Sequence, residues 1–199
     1  MKDNRDRILD VAIDLAEKGG YDNVRQRDVA HHAGVALGTL YKRFRSKEEI
    51  LCAALERETG SLEKRLTGGL PRGENAEERL SSFFRMATRG LCRKPNFARA
   101  VLRALASGEP EVAAAVASYQ HRMTHMITAV MRGHDNVKPA VTKREATVAL
   151  LFQQIWFASL VGWSAGLFDE TEIIAQMKRT TDLLLRGAAA LAEPRVAKR

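Results

Sequence analysis

The stretch Arg25-Gln26-Arg27-Asp28-Val29-Ala30-His31-His32-Ala33-Gly34-Val35-Ala36-Leu37-Gly38-Thr39-Leu40-Tyr41-Lys42-Arg43-Phe44-Arg45-Ser46-Lys47 decides the fold. It reads as a short helix, a tight turn and a second short helix. Val29, Ala30 and Ala33 share one face of the first helix. The small Ala30 lets a second helix approach closely. Gly34 stands where the first helix must stop and the backbone must turn, often with positive φ. Val35 and Leu40 fill the angle between the helices. This is the pattern of a helix-turn-helix, whose second helix enters the DNA major groove.

Charge points the same way. The stretch carries six bases, Arg25, Arg27, Lys42, Arg43, Arg45 and Lys47, against one acid, Asp28. With Thr39 and Tyr41 interleaved, such a run suits phosphate contacts, where the plainer alternative is a solvated basic face on an ordinary helical hairpin. The whole chain of 199 residues has a formal net charge of +8. An anionic partner is favoured over the solubility that a high net charge alone would explain. At 45% hydrophobic residues the chain can bury a core and is not disordered.

The residues from Ala33 to Phe44, followed by Ser46-Lys47-Glu48-Glu49-Ile50-Leu51, closely resemble the TetR family of bacterial transcriptional regulators. That family commonly opens both helices of the motif with Ser or Thr, where this chain has Arg25 and Ala36. Asn23 with Gln26 offers the first helix a substitute cap. The second helix is left without a side-chain cap. The resemblance implies DNA contacts at Arg25, Gln26, Arg27, Leu37, Gly38, Thr39, Tyr41, Lys42 and Lys47. Tyr41 and Lys47 are assigned to phosphates, Thr39 to a phosphate or a base edge, and Gln26 and Lys42 to base edges. Gly38 lets the backbone come close. Arg43 and Arg45 read as solvating charges and Phe44 as core.

Elsewhere the expectation is helices throughout. The first spans residues 3–18, is stopped by Gly19-Gly20 and braces the motif; its Arg5 and Arg7 read equally as phosphate contacts or as solvent-facing charges. Ser46 with Glu49 forms a capping box for a long helix, and Lys47 at its start sits where backbone N–H groups help hold a phosphate. In relatives this helix moves when ligand binds and changes the separation of the two reading heads. Thr67 to Asn75 is a loop, holding three Gly and one Pro. Further helices are expected over residues 76–92, 96–107 and 111–131, with a loop over Gly133 to Pro139. A Thr142–Glu145 capping box opens a helix to about Ala165, and Asp169 or Thr171 opens the last, to about Leu191. The tail from Pro194 to Arg199 is expected to fray.

Between Ala149 and Trp163 the only strongly polar residues are Gln153 and Gln154. A helix apolar on nearly all sides must be buried all round. With the apolar stripe of the last helix it over-supplies one small domain. A homodimer packing this pair against its own copy as a four-helix bundle resolves the excess, as the resemblance also implies; a larger monomeric core is the alternative.

The predicted architecture is therefore all-α. An N-terminal three-helix helix-turn-helix domain (1–47) binds DNA, and a C-terminal helical bundle (48–199) binds ligand and dimerises. Phe83, Phe84, Met86, Met123, Met126, Phe152, Trp156, Phe157 and Trp163 are candidates to line an effector pocket, although aromatics and Met at helical spacing also simply make a core. The 149–163 region and Lys18-Gly19-Gly20-Tyr21 resemble the steroid-catabolism repressors of the family, which implies a bulky hydrophobic or acyl-CoA-like effector. The implied partners are a palindromic operator, a small effector and a second copy of the chain, and the implied activity is repression relieved by the effector.

No nucleophile, paired carboxylates or Gly-rich phosphate loop marks an enzyme, and no cofactor motif is visible. His121 and His125 stand four apart, yet Arg122 occupies the place where a zinc protease carries Glu, so they read as surface or pocket histidines and no metal is expected. Cys52 and Cys92 read as buried thiols of a reducing cytoplasm, with a redox pair as the sharper alternative. The polar start of the chain is unlike a signal peptide, and no uninterrupted run of about 18 apolar residues suggests a membrane span. The rival reading is a helical dimeric ligand-binding or interaction module without operator binding.

Overall fold

The computed structural model describes residues 3–134 and 140–190. Among them nine α-helices occur and no strand: α1 (Asn4–Gly19), α2 (Gln26–Ala33), α3 (Leu37–Arg43), α4 (Lys47–Thr67), α5 (Ala76–Cys92), α6 (Pro95–Leu105), α7 (Ala113–Arg132), α8 (Lys143–Ser164) and α9 (Glu170–Ala190). Single 3-10 turns at Tyr21–Asn23 and Pro110–Val112 were not expected. The all-α expectation holds. The fraying tail lies outside the described residues, as do Asp135 to Pro139 of the expected loop and Leu191 of the last helix.

The described chain forms two compact units, which do not follow the division at residue 47. One comprises 1–64 with 90–121, the other 65–89 with 122–199. In the first, Ile8, Leu9, Ala12, Ile13 and Ala16 of α1 are buried against Val29, Ala30 and Ala33 of α2, Leu40 of α3, and Phe97 and Val101 of α6. Each fully buried Leu or Ile contributes about 2 kcal/mol. Polar bonds fix the α1–α6 seam: Phe97 N–H donates to the Glu17 carboxylate at 3.0 Å, and Asn96 Nδ2 to the Glu17 carbonyl at 2.9 Å.

In the second unit α8 and α9 pack together. Phe83, Phe84, Phe152, Trp156, Met123 and Met126 are buried there. Thr142 caps α8 as its sequence predicts, accepting from Glu145 N–H at 3.2 Å while the Glu145 carboxylate takes the Thr142 N–H at 2.8 Å. Asp169, rather than Thr171, caps α9 in the same reciprocal way with Glu172.

The expectation that α8 is buried all round fails within one protomer. Leu150, Leu151, Phe157 and Val161 are 36–41% exposed, and with Gln154 and Ala158 they form one continuous outer stripe. By length and mean hydropathy α8 would also suffice to cross a membrane, with 39% of that apolar window buried.

Candidate nucleic-acid interface and effector core

The turn of the helix-turn-helix rests on Gly34, at φ 63 and ψ 39. The left-handed conformation costs an L side chain about 1–2 kcal/mol, and glycine avoids that cost. Gly34 N–H donates to the His31 carbonyl and Val35 N–H to that of Ala30, closing α2 and aiming the chain into α3. Leu40 is fully buried beneath α3. Around it Gly38, Thr39, Tyr41, Lys42 and Arg43 are exposed, and Leu37 is half-buried. A Cβ added to Gly38 would meet no atom of the protein within 4 Å, so internal packing does not require glycine there. Arg25 and Arg27 are exposed at the start of α2. Phe44 is buried, as the sequence suggests.

Three expectations change in detail. The Asn23–Gln26 cap does not form: α2 has no side-chain cap, and Asn23 Nδ2 donates instead to the Leu15 carbonyl at 3.1 Å. Gln26 is half-buried, and its amide donates to the Phe44 carbonyl at 3.1 Å, tying the start of α2 to the end of α3. At α4, Ser46 accepts from Glu49 N–H at 3.2 Å, while the Glu49 carboxylate reaches one residue further back, to Arg45 N–H. Ala36 leaves α3 uncapped, as anticipated. Arg5 lies 3.7 Å from Glu56 and Arg43 lies 3.8 Å from Asp3.

Lys47, the first residue of α4, stands in a cluster that sequence reasoning missed. Its ammonium lies 3.7 Å from the centroid of the Tyr21 ring and 3.8 Å from the Asp22 carboxylate. Arg103 of α6 covers the same ring at 4.1 Å and bonds Asp22 at 3.1 Å. The Tyr21 hydroxyl donates to Glu48. Burial and that bond to a carboxylate push the Tyr21 hydroxyl up to about 12. Burial pushes Glu48 upward, but the hydroxyl, backbone and Ser46 bonds and nearby Lys47 leave it below the usual carboxylate value. No local pattern joins residues 21, 22, 47 and 103.

Of the effector candidates, Phe83, Phe84, Phe152 and Trp156 form one aromatic cluster. Phe84 lies 5.1 Å from Phe83, 5.4 Å from Phe152 and 5.9 Å from Trp156, centroid to centroid. Trp156 Nε1 donates to Thr88 Oγ1 at 3.0 Å. Met123, Met126 and Trp163 are buried and Met86 is half-buried. Phe157 is not brought to the cluster; it lies on the outer stripe of α8.

Among the described residues no group of three His, Cys, Asp or Glu is placed to hold a metal. Cys52 and Cys92 are not joined in a disulfide, and burial pushes the Cys52 thiol up to about 11.

The family model described as bacterial regulatory proteins, tetR family, matches residues 8–54, and that described as tetracyclin repressor-like, C-terminal domain, matches residues 73–184. The HTH-type transcriptional repressor KstR of Rhodococcus jostii (strain RHA1) is 34% identical over 92% of this chain and 84% of its own. KstR of Mycobacterium tuberculosis is 28% identical over 92% and 81%. Among solved structures, a TetR transcriptional regulator from Rhodococcus sp. RHA1 superposes with a TM-score of 0.79 at 24% identity, covering 96% of this chain and 97% of that one. FadR from Bacillus subtilis in complex with stearoyl-CoA superposes with a TM-score of 0.63 at 19% identity, over 91% and 97%.

Proposed function

Because this chain belongs to the TetR family of bacterial regulatory proteins, we propose that it is a repressor that holds a palindromic operator as a homodimer and is released by a small apolar effector. The carrying observation is the exposed polar and basic surface of α3, set on a buried Leu40 behind a glycine turn. Tyr41, Thr39 and Lys47 hold phosphates. Lys42 faces base edges. Arg25, Arg27, Leu37 and the bare backbone at Gly38 complete the contact. Gln26 braces α2 against α3 through its amide N–H, and its amide oxygen reads a base edge.

The protein works in the cytoplasm without catalysis of its own. The functional division falls near residue 47, with effector binding and dimerisation beyond it. The aromatic cluster of α5 and α8 supports an effector with a bulky hydrophobic body, and stearoyl-CoA bound to the FadR relative makes an acyl-CoA a reasonable form of it. The effector shifts the dimer away from its DNA-competent form only by its difference in affinity for the two forms.

The test is fluorescence anisotropy with DNA from immediately upstream of the coding region, at several salt concentrations. Selective binding over a scrambled duplex is expected. The logarithm of affinity should fall with that of salt by about 0.9 for each phosphate neutralised. Stearoyl-CoA added to the complex should lower the anisotropy, and free coenzyme A should not. Non-selective, salt-insensitive binding across a genomic fragment pool would overturn the operator reading.

A further inference from the structure

Three buried polar atoms of the second unit have no hydrogen-bond partner: Ser81 Oγ on α5, Thr128 Oγ1 on α7 and Gln153 Oε1 on α8. Thr128 is fully buried and Gln153 is 7% exposed. Leaving such groups unpaired costs about 1–3 kcal/mol each, so their persistence calls for a reason. Thr88, Ser159 and Thr181, also buried in this unit, are satisfied: Thr88 accepts from Trp156, while Ser159 and Thr181 donate to carbonyls four residues back in their own helices.

The helix registers place Ser81 and Thr128 beside Ala149, and the Gln153 side chain, one turn further along α8, folds back to donate to the Ala149 carbonyl at 3.2 Å. Gln153 Nε2 donates to Thr124 Oγ1 at 3.0 Å, and Arg132 Nε to Glu145 Oε1 at 2.7 Å. Between these two pairs α7 advances as many residues as α8 retreats, so Thr128 falls opposite Ala149. Along α5, Phe84 meets Phe152 and Thr88 meets Trp156, so one turn back from Phe84 places Ser81 at the Ala149–Gln153 level. The contact of Arg79 Nη2 with the Met131 carbonyl at 2.9 Å independently sets the start of α5 beside the end of α7. Ala149 is fully buried and is the smallest chiral side chain available at that level. The aromatic cluster begins one turn further along α8.

We propose that this level is a polar subsite, where Gln153, Thr128 and Ser81 hold a hydroxyl group carried by the otherwise apolar effector. The inference rests on the effector reading above. The chemistry selects the group. Gln153 Oε1 can only accept, so it needs a donor. The two hydroxyls can donate, so they suit an acceptor. A hydroxyl is both, whereas a ketone would leave Gln153 Oε1 unmet. The nearby charges are engaged elsewhere: Arg132 and Glu145 are bound to each other through two hydrogen bonds, and Arg79 donates to the Val130 and Met131 carbonyls. Discrimination of this kind is strong, because an analogue lacking the group leaves buried polar atoms unpaired.

The experiment uses the full chain and two matched probe pairs, 1-dodecanol with 2-dodecanone and 4-cyclohexylcyclohexanol with 4-cyclohexylcyclohexanone. Binding is read by quenching of tryptophan emission and by the melting temperature. In at least one pair the alcohol should bind about tenfold or more tightly than the ketone. Gln153→Met should erase that preference, whereas Thr128→Val and Ser81→Ala, which remove donors that serve both probes, should weaken alcohol and ketone alike. Without ligand they should raise the melting temperature by about 2–4 °C, because each removes a buried unpaired group. A lowered melting temperature in both variants would mean that protein or trapped water already satisfies the hydroxyls, and would overturn the subsite with no ligand involved. Equal binding of alcohol and ketone, or no binding by any probe, also overturns it. Failure of the effector reading itself is seen separately, as stearoyl-CoA leaving the DNA complex intact.

Discussion

Lys47 has two prospective anionic partners, the Asp22 carboxylate already beside it and a DNA phosphate, and Tyr21 supplies the floor on which either is met. Half-exposed pairs of this kind are weak, about 0.2–1 kcal/mol, so Asp22 restrains the ammonium without retaining it. Asp22→Asn should therefore tighten operator binding, by up to about fivefold at low salt. Lys47→Gln should weaken it and reduce the salt slope by about 0.9 per protomer. Anisotropy titrations of both variants across a salt series check this; unchanged slopes would remove Lys47 from the interface. Lys47 itself was readable from sequence, as the basic residue beginning a helix. Asp22 and Arg103 were not, since their meeting depends on α6 returning to the 3-10 turn after α1. Gln26 shows the opposite limit. Its residue type suggests a base reader, but the return of α3 past α2 presents a backbone carbonyl to its amide first.

At the level of elements, the turn and the caps carried most of the readable information, because both are set by residues close in sequence. Gly34 needs only its own backbone angles to end α2. Since a Cβ there would meet nothing within 4 Å, Gly34→Ala suffers conformational strain alone. It should cost about 1 kcal/mol, or about 3 °C in melting temperature, and Gly34→Asn should cost less. A thermal melt of each decides it. The α8 cap was equally plain from Thr142 and Glu145, but Arg132, which completes it, was not. The Arg132 hydrogen bonds, against the opposing effect of burial and helped by the Thr142 bonds, hold the Glu145 carboxyl down to about 2. A carboxyl depressed in the folded state stabilises it fully above the unfolded value, and that stability is lost as pH falls toward the folded value. Stability should thus decline between about pH 4.5 and pH 2 partly on account of Glu145. Glu145→Gln should lower the melting temperature at pH 7 and flatten that acid decline. A decline of unchanged steepness would assign it to other carboxylates.

For the whole molecule, the apolar excess of the last two helices survives in the protomer as an exposed row on α8 that the single chain does not bury. Within the protomer α8 turns Phe152, Trp156 and Leu160 inward and leaves Leu150, Leu151, Phe157 and Val161 outside. Hydrophobic periodicity cannot separate these faces, because both are apolar; only the position of α5 and α9 against α8 does. The division into compact units was hidden for a related reason, since the α1–α6 seam joins residues some eighty positions apart. The outer stripe carries the dimer proposal to a direct test. An exposed apolar row about three turns long gains its burial only from another molecule, and a two-fold axis lets the row cover itself. A carboxylate placed in its middle would be buried opposite its own copy, so Phe157→Glu or Ala158→Glu should separate the protomers while sparing the inward face. Light scattering should then give 22.1 kDa for the variant and twice that for the parent chain. If one protomer grips one half-site, as proposed, separation should also forfeit the gain from linked binding, about 10²–10⁴-fold in operator affinity, while leaving the weak non-selective attraction to DNA in place. A variant that stays dimeric would place the interface elsewhere. One that dissociates yet keeps full operator affinity would break the link between dimer and palindrome.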